Sequence, residues 1–313
     1  MCAIGVTSDE RESGRWPYRG FVEEIRDALV EAAVARWPEH DWNAGDMHCG
    51  AFHLVLTAPD GPTVRAIQGH RGRERSRREA SVLAALEACR LSLVVPRVIG
   101  GPIWSEVPRT WLTLVTTAPG ASEADLQTCT SQRLAAYAET LDSLRLASSR
   151  VGDTLPPTRA WCGGERWPDI VRRVLIPLLH ESVRACAAER VESLIDAERG
   201  ASLTLCHGDF GPHNILWTND RVDSVIDFDH ACIGDPAIDL APLISFHGAA
   251  NVAPLGPPDE VRRAMLHRAA LPLQVAAAAH LAGLRSLRDH ALGNFERRAD
   301  EGTLFDPNGD RPD

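Results

Sequence analysis

Between Leu203 and Asp229 three short apolar runs, Leu203-Thr204-Leu205-Cys206, Ile215-Leu216-Trp217 and Val225-Ile226, are separated by segments dense in glycine, proline, asparagine and aspartate. Such a stretch can continue neither as one helix nor as one strand, and must fold as tight loops hung from strand ends. Loops held by a rigid scaffold are where chemistry collects. The loop His207-Gly208-Asp209-Phe210-Gly211-Pro212-His213-Asn214 places an aspartate five residues before an asparagine, and Asp227 follows that asparagine by thirteen. A carboxylate beside an acceptor hydroxyl, with an amide oxygen and a second carboxylate to hold the magnesium of a nucleoside triphosphate, is equipment for phosphoryl transfer.

On this reading Asp209 orients the attacking hydroxyl or accepts its proton, and Asn214 and Asp227 are metal ligands. Asp, Asn and Gly also close turns without catalysis, and an isolated His-Gly-Asp would be read as a turn. The spacing to Asn214 and Asp227 favours the chemical reading. His207 is expected to be structural, packed beneath the loop and bonded to backbone. His213 receives no role. Asp235 and Asp239 read as a loop-locking acid and a helix N-cap before an apolar helix.

All thirty-three basic residues are arginine, and the absence of lysine excludes a Walker A loop, which ends in Gly-Lys-Ser/Thr. The formal charge of −10 disfavours nucleic acid and favours a cationic ligand. No apolar run approaches membrane-span length, and Met1 to Glu12 lacks the pattern of a secretory signal, so neither membrane nor export is expected and the cytoplasm is the expected location. The eight cysteines stand singly, without a Cys-x-x-Cys pair, and read as reduced thiols.

Phe21 to Trp37 has apolar residues at helical spacing and ends before Pro38. Phe52–Leu56 and Thr63–Ile67 flank the turn Pro59-Asp60-Gly61-Pro62 and predict an antiparallel pair; Glu74–Ala88 predicts a helix, and Val94–Ile99 and Trp111–Thr116 two more strands. After Ala118-Pro119-Gly120 come helical patterns over Ser131–Leu146, Asp169–Arg199 and Asp259 to Arg298, then a polar tail from Glu301 expected to fray. The cluster Arg71, Arg73, Arg75, Arg77, Arg78 reads as a solvated helix entry.

His207–Asn214, Val225–Asp229 and Gly234–Ala241 (GDPAIDLA) together resemble the aminoglycoside phosphotransferase and choline kinase superfamily. Asn214-Ile215-Leu216-Trp217, Arg173–Leu179 and Gln274–Arg288 are most similar to viomycin and capreomycin phosphotransferases. The resemblance implies an α+β, two-lobed, protein-kinase-like fold: a small β-rich N-terminal lobe over residues 1–117 that covers nucleotide, and a larger helical C-terminal lobe over 118–300 that holds the acceptor, followed by the tail 301–313. It implies ATP or GTP with magnesium, Asp209 as catalytic base, and Asn214 and Asp227 as metal ligands. It further implies a lysine or arginine on the third strand for the nucleotide phosphates, paired with a glutamate of the next helix. Arg65 and Glu79 occupy those positions. Asn43–Gly50 resembles the flexible nucleotide-covering loop, and Thr116–Ala118 the hinge whose backbone bonds adenine, so Thr116 and Ala118 join the cofactor set. The implied substrate is a small cationic, hydroxyl-bearing molecule, an antibiotic, with Asp153, Glu165, Asp169 and Asp229 as candidate acids around its amines. A metabolic kinase of choline, a sugar or an amino alcohol shares every catalytic residue with this reading. A pseudokinase binding module is the alternative of another class.

Overall fold

The structure, a computed structural model, describes residues 19–122, 125–151, 154–219 and 221–312. The segment Met1–Glu12, and Asp153 among the candidate acids, lie outside the described residues. The chain divides into two compact units: one runs up to Ala84 and includes Pro96–Ala118, and the other takes Ala85–Val95 with Pro119 onward.

The described residues of the first unit form helix α1 (Arg19–Arg36), strands β1 (Asp46–Cys49), β2 (His53–Thr57) and β3 (Thr63–Ile67), helix α2 (Gly72–Cys89, which runs on past the division), and strands β4 (Val98–Ser105) and β5 (Thr110–Val115). The strands form one antiparallel sheet in the order β1-β2-β3-β5-β4. Alternation along the strands sends Leu56, Val64, Ala66, Leu112 and Leu114 to one face, where Leu29, Val30, Ala32 and Ala33 of α1 and the ring of Trp42 close a core. The neighbouring positions Arg65 and Thr113 therefore point to the other face, where α2 packs and Ser76 bonds Thr113 through their hydroxyls at 3.1 Å.

Three expectations change here. Asn43–Gly50 is not a loop: it contains β1, registered Asp46 to Thr57 through Cys49 to Leu54, and the reversal falls at Gly50–Phe52. The strand expected at Val94–Ile99 begins only at Val98, because Val94 bridges instead to Ser224 of the second unit's own segment and Pro96 has no N–H to give a ladder. The arginine cluster is not wholly solvated. Arg75 folds back to donate to the Gln68 carbonyl at 2.6 Å and lies over the Phe52 ring.

In the second unit β6 (Ala121–Ser122), β8 (Ile215–Thr218) and β9 (Arg221–Val225) form one small sheet, and β7 (Thr204–Cys206) pairs with β10 (Cys232–Gly234) in another. Helices α3 (Ser131–Val151), α4 (Glu181–Ala197), α5 (Ala237–His247), α6 (Pro258–Ala282) and α7 (Arg285–Asp300) supply the bulk. α6 is the central one, buried along most of its length, and its run of alanines lets neighbouring helices approach closely. No helix among the described residues is long and apolar enough to cross a membrane.

The helix expected over Asp169–Arg199 is broken. A turn at Trp167–Ile170 widens into a π-turn at Val171–Leu175, tightens at Ile176–Leu178 around Pro177, and stops at the extended Leu179; His180 then caps α4. The helix expected from Asp259 to Arg298 is two. Gly283, at φ 73°, ends α6 in the left-handed conformation that favours glycine.

The tail does not fray. Leu304 is buried, Arg268 donates to the carbonyls of Thr303 and Leu304 at 2.6 and 2.7 Å, and Phe305 lies under Arg190. Asp306, fully buried, accepts from the backbone N–H groups of Ala249 and Asn308. A polar composition hid one leucine, one phenylalanine and one carboxylate, each with a place to go. Asp306→Ala leaves a buried N–H at Ala249 unanswered, which costs ~1–3 kcal/mol. Its urea midpoint should fall with the slope unchanged, and a midpoint equal to that of the parent would show that the tail's docking adds nothing to stability.

Candidate active site

The loop His207–Asn214 of the second unit is held from below. Asp239, buried in the first turn of α5, accepts from the backbone N–H groups of His207 at 2.8 Å and Gly208 at 2.7 Å. Burial pushes its carboxyl up, against the pull of His207 and these two N–H groups. The roles expected of the two flanking acids are thus exchanged. Asp239 locks the loop, and Asp235 serves the helix start by accepting from Ala237 N–H at 3.0 Å while Arg263 grips it from α6.

His207 is structural: Nε2–H donates to the Ile226 carbonyl at 2.8 Å, Nδ1 accepts from Asp209 N–H at 3.1 Å, and the ring packs 4.4 Å from that of Phe228. Gly208 sits at φ 89°, where a Cβ would lie 2.3 Å from the His230 carbonyl oxygen. No larger residue fits there.

These constraints deliver Asp209 to the end of β7 with its side chain 17% exposed. Asn214 donates through Nδ2 to the Asp209 carbonyl at 2.9 Å and to Oδ2 at 3.3 Å, which fixes its amide. Its Oδ1 is buried and accepts no hydrogen bond. The Asn214 carbonyl takes the Ile226 N–H at 2.9 Å, so the residue after Ile226 is carried to Asn214. That residue is Asp227, in the left-handed region at φ 66°, ψ 53°, an uncommon setting for a non-glycine residue. Burial raises the Asp209 carboxyl and Asp227 adds to that, but His213 and His230 outweigh both, and its pKa falls to about 2. The His213 Nε2 stands 3.5 Å from Asp209 Oδ2, and neither ring nitrogen of this buried histidine has a hydrogen-bond partner.

The first unit gathers a second set. Arg65 and Glu79 meet on the same face of the sheet, and a residue the sequence did not announce stands between them. His53, buried at the start of β2, bonds Glu79 Oε1 at 2.8 Å through Nε2 and receives the Arg65 guanidinium at 3.5 Å on Nδ1. Burial raises Glu79, yet His53, Arg65 and Arg75 together hold its carboxyl below the ordinary value. The signal that would have found His53 is register: it pairs with Ile67, two residues along from Arg65's partner Val55, and so shares Arg65's face. Thr116 lies apart from this cluster, just past β5. Its N–H is spent on the Arg97 carbonyl and its hydroxyl on Arg97 N–H, both 2.9 Å, so the Thr116 carbonyl and the backbone of Ala118 are what this segment offers a base. Of the candidate acids, Glu165 and Asp169 are exposed, and Asp229 is half-buried in the turn after Asp227.

A model of the phosphotransferase enzyme family matches residues 54–299. Viomycin phosphotransferase of Streptomyces vinaceus is 31% identical over 217 residues, 64% of this chain and 73% of that protein. Among solved structures, the GDP complex of an aminoglycoside 2'-phosphotransferase IIIa variant aligns at a TM-score of 0.69 and 16% identity, over 88% of this chain and 98% of that one. Macrolide 2'-phosphotransferase MphH from Brachybacterium faecium aligns at 0.58 and 21% identity, over 86% and 98%. The fold is the α+β, protein-kinase-like fold of these enzymes, and with a family model spanning residues 54–299, the chain belongs to the phosphotransferase enzyme family.

Proposed function

We propose that the protein transfers the terminal phosphoryl group of ATP or GTP, with magnesium, to a hydroxyl of a small cationic antibiotic. The observation that carries this reading is the meeting of Asp209, Asn214 and Asp227, with the buried Asn214 Oδ1 left without a hydrogen-bond partner. An orphaned amide oxygen beside a carboxylate is the donor set a hard cation takes, so Asn214 and Asp227 fit magnesium. A magnesium ion held by these two residues would neutralise charge on the phosphates. A carboxylate with a pKa near 2 is a poor proton acceptor. Asp209 therefore acts chiefly by orienting the acceptor hydroxyl, and takes its proton only as the new P–O bond forms, which suits the loose transition state of phosphoryl transfer. Arg65, steadied by His53 and Glu79, supplies a permanently charged fork for the nucleotide phosphates, and the Thr116 carbonyl with the Ala118 backbone supplies the base contacts.

For nucleotide use, the support is the likeness to enzymes solved with GDP and, in a streptomycin–ATP ternary complex, with ATP. For the acceptor, it is the viomycin phosphotransferase relative together with the formal charge of −10. Incubation with each nucleotide, magnesium and a panel of aminoglycosides, cyclic-peptide antibiotics, macrolides and choline, read by mass spectrometry, tests the whole reading: the expected result is one added phosphate on a cationic antibiotic. Phosphorylation of choline alone would move the protein to a metabolic role. No transfer to any acceptor would sink it.

Asp209→Ala should lower kcat by roughly 10² to 10⁴-fold with nucleotide affinity nearly intact. Retention of more than about a third of kcat would remove Asp209 from the chemistry. Asp227→Ala and Asn214→Ala should shift the magnesium dependence of activity to higher concentration, Asp227 more strongly because it removes a charged ligand; unchanged magnesium titrations in both variants would count against the metal site.

Arg65→Ala should raise the nucleotide KM roughly tenfold, the worth of one charge-assisted hydrogen bond, and Arg65→Lys should restore part of the loss. A change within about twofold in both KM and kcat would make Arg65 a bystander.

A further inference from the structure

The loop from Pro157 to Arg166 in the second unit is pinned more firmly than a surface connection needs. Pro157 bridges to Ile233 of β10, and the Thr158 hydroxyl donates to the Ile233 carbonyl at 3.2 Å. Arg159 is held at φ 61°, a conformation unfavourable for a side-chain-bearing residue, by two hydrogen bonds of 2.6 Å to Glu198 and by the Trp167 ring under its guanidinium. The result of this clamping is the placement of Trp161. Its indole stacks on the His230 ring with centroids 4.0 Å apart and planes 17° from parallel. His230 stands three residues past Asp227.

Behind the stack lies a cavity of about 30 Å³. Trp161, His230 and Gly208 line it on the side of the catalytic loop, Leu271 and Pro242 contribute apolar wall, and Gln274 and His267 of α6 are its buried polar residues. The Thr158 and Arg159 side chains, which also line it, are already committed to Ile233 and Glu198. His267 Nε2 is turned to two carboxylates, 3.5 Å from Glu198 and 3.7 Å from Asp235, which leaves Gln274 as the buried polar side chain not so engaged. Space of this size holds about one or two non-hydrogen atoms, so what enters is the tip of a larger molecule. A flat aromatic rim over a buried amide suits a planar group that carries N–H.

We propose that the Trp161–His230 stack and the cavity behind it are a specificity subsite for the acceptor, receiving a planar N–H-bearing end, an amide or a guanidinium, with Gln274 as its hydrogen-bonding floor. This rests on the phosphotransferase reading above for its meaning, while the pocket's chemistry is testable without turnover. Guanidinium chloride at concentrations far below denaturing, acetamide and methylammonium chloride are titrated into the full chain, and the indole N–H of Trp161, assigned by its disappearance in Trp161→Phe, is followed by NMR. Guanidinium or acetamide should shift this signal and methylammonium should not, and the shift should be lost in Gln274→Leu. An unmoved signal, an equal response to methylammonium, or a shift that persists in Gln274→Leu overturns the subsite. Whichever panel antibiotic is phosphorylated then gives the kinetic arm: Trp161→Ala should raise its KM about tenfold while the nucleotide KM moves less than twofold. An acceptor KM that stays put in an enzyme that still transfers phosphate rejects the subsite and leaves the phosphotransferase reading intact, whereas absence of transfer by the parent rejects that reading and not the pocket.

Discussion

One buried carboxylate organises the candidate site of the second unit. Asp239 gives both its oxygens to consecutive backbone N–H groups of the loop that carries Asp209, and it does so from the first turn of an apolar helix. Burying that charge is costly, and the two N–H groups it receives are ones the loop cannot satisfy otherwise. Everything downstream inherits the position so fixed. The His207 ring spans from Asp209 N–H to the Ile226 carbonyl, Ile226 N–H returns to Asn214, and Asn214 reaches back to Asp209. The three proposed functional residues are thus joined by a circuit of backbone groups closed through the His207 ring and the Asn214 amide. This is how a site on loops attains the precision of one on strands.

What the sequence made legible follows the range of each interaction. The strands β2 and β3, the helices α1 and α2, and the loop at Asp209 were readable because their signals are local: alternation, helical spacing, glycine and proline at fixed offsets. The family was readable for the same reason, since its motifs lie within about forty residues. Long-range pairing was less accessible. Nothing in the run Asp169–Arg199 except Pro177 announced a break, and proline within a helix is ambiguous, as Pro242 and Pro272, both inside intact helices, demonstrate. Asp235 and Asp239 sit in one short motif, and which of them would turn toward the loop depended on packing that no local pattern encodes. His53 was invisible because its meaning comes from strand register, twenty-six residues from Glu79.

The first unit shows how a chain without lysine builds a cationic position. A lysine ammonium is a compact charge that a single carboxylate can hold, whereas a guanidinium is broad and planar. Here the glutamate does not grip the arginine alone: a histidine stands between them, bonding the acid through one ring nitrogen and meeting the guanidinium with the other. The imidazole adds length to the link, so that the longer, flatter cation is held by a partner set back on α2.

A cation built from guanidinium also changes what reagents can find. With no lysine anywhere, the chain offers no side-chain amine to acylating, reductively alkylating or Schiff-base-forming compounds. Covalent ligands that capture a nucleotide-site lysine have nothing to bond in this enzyme. Of the described thiols Cys49 is the exposed one, whereas Cys232, which lines the cavity beside the loop at Asp209, is buried.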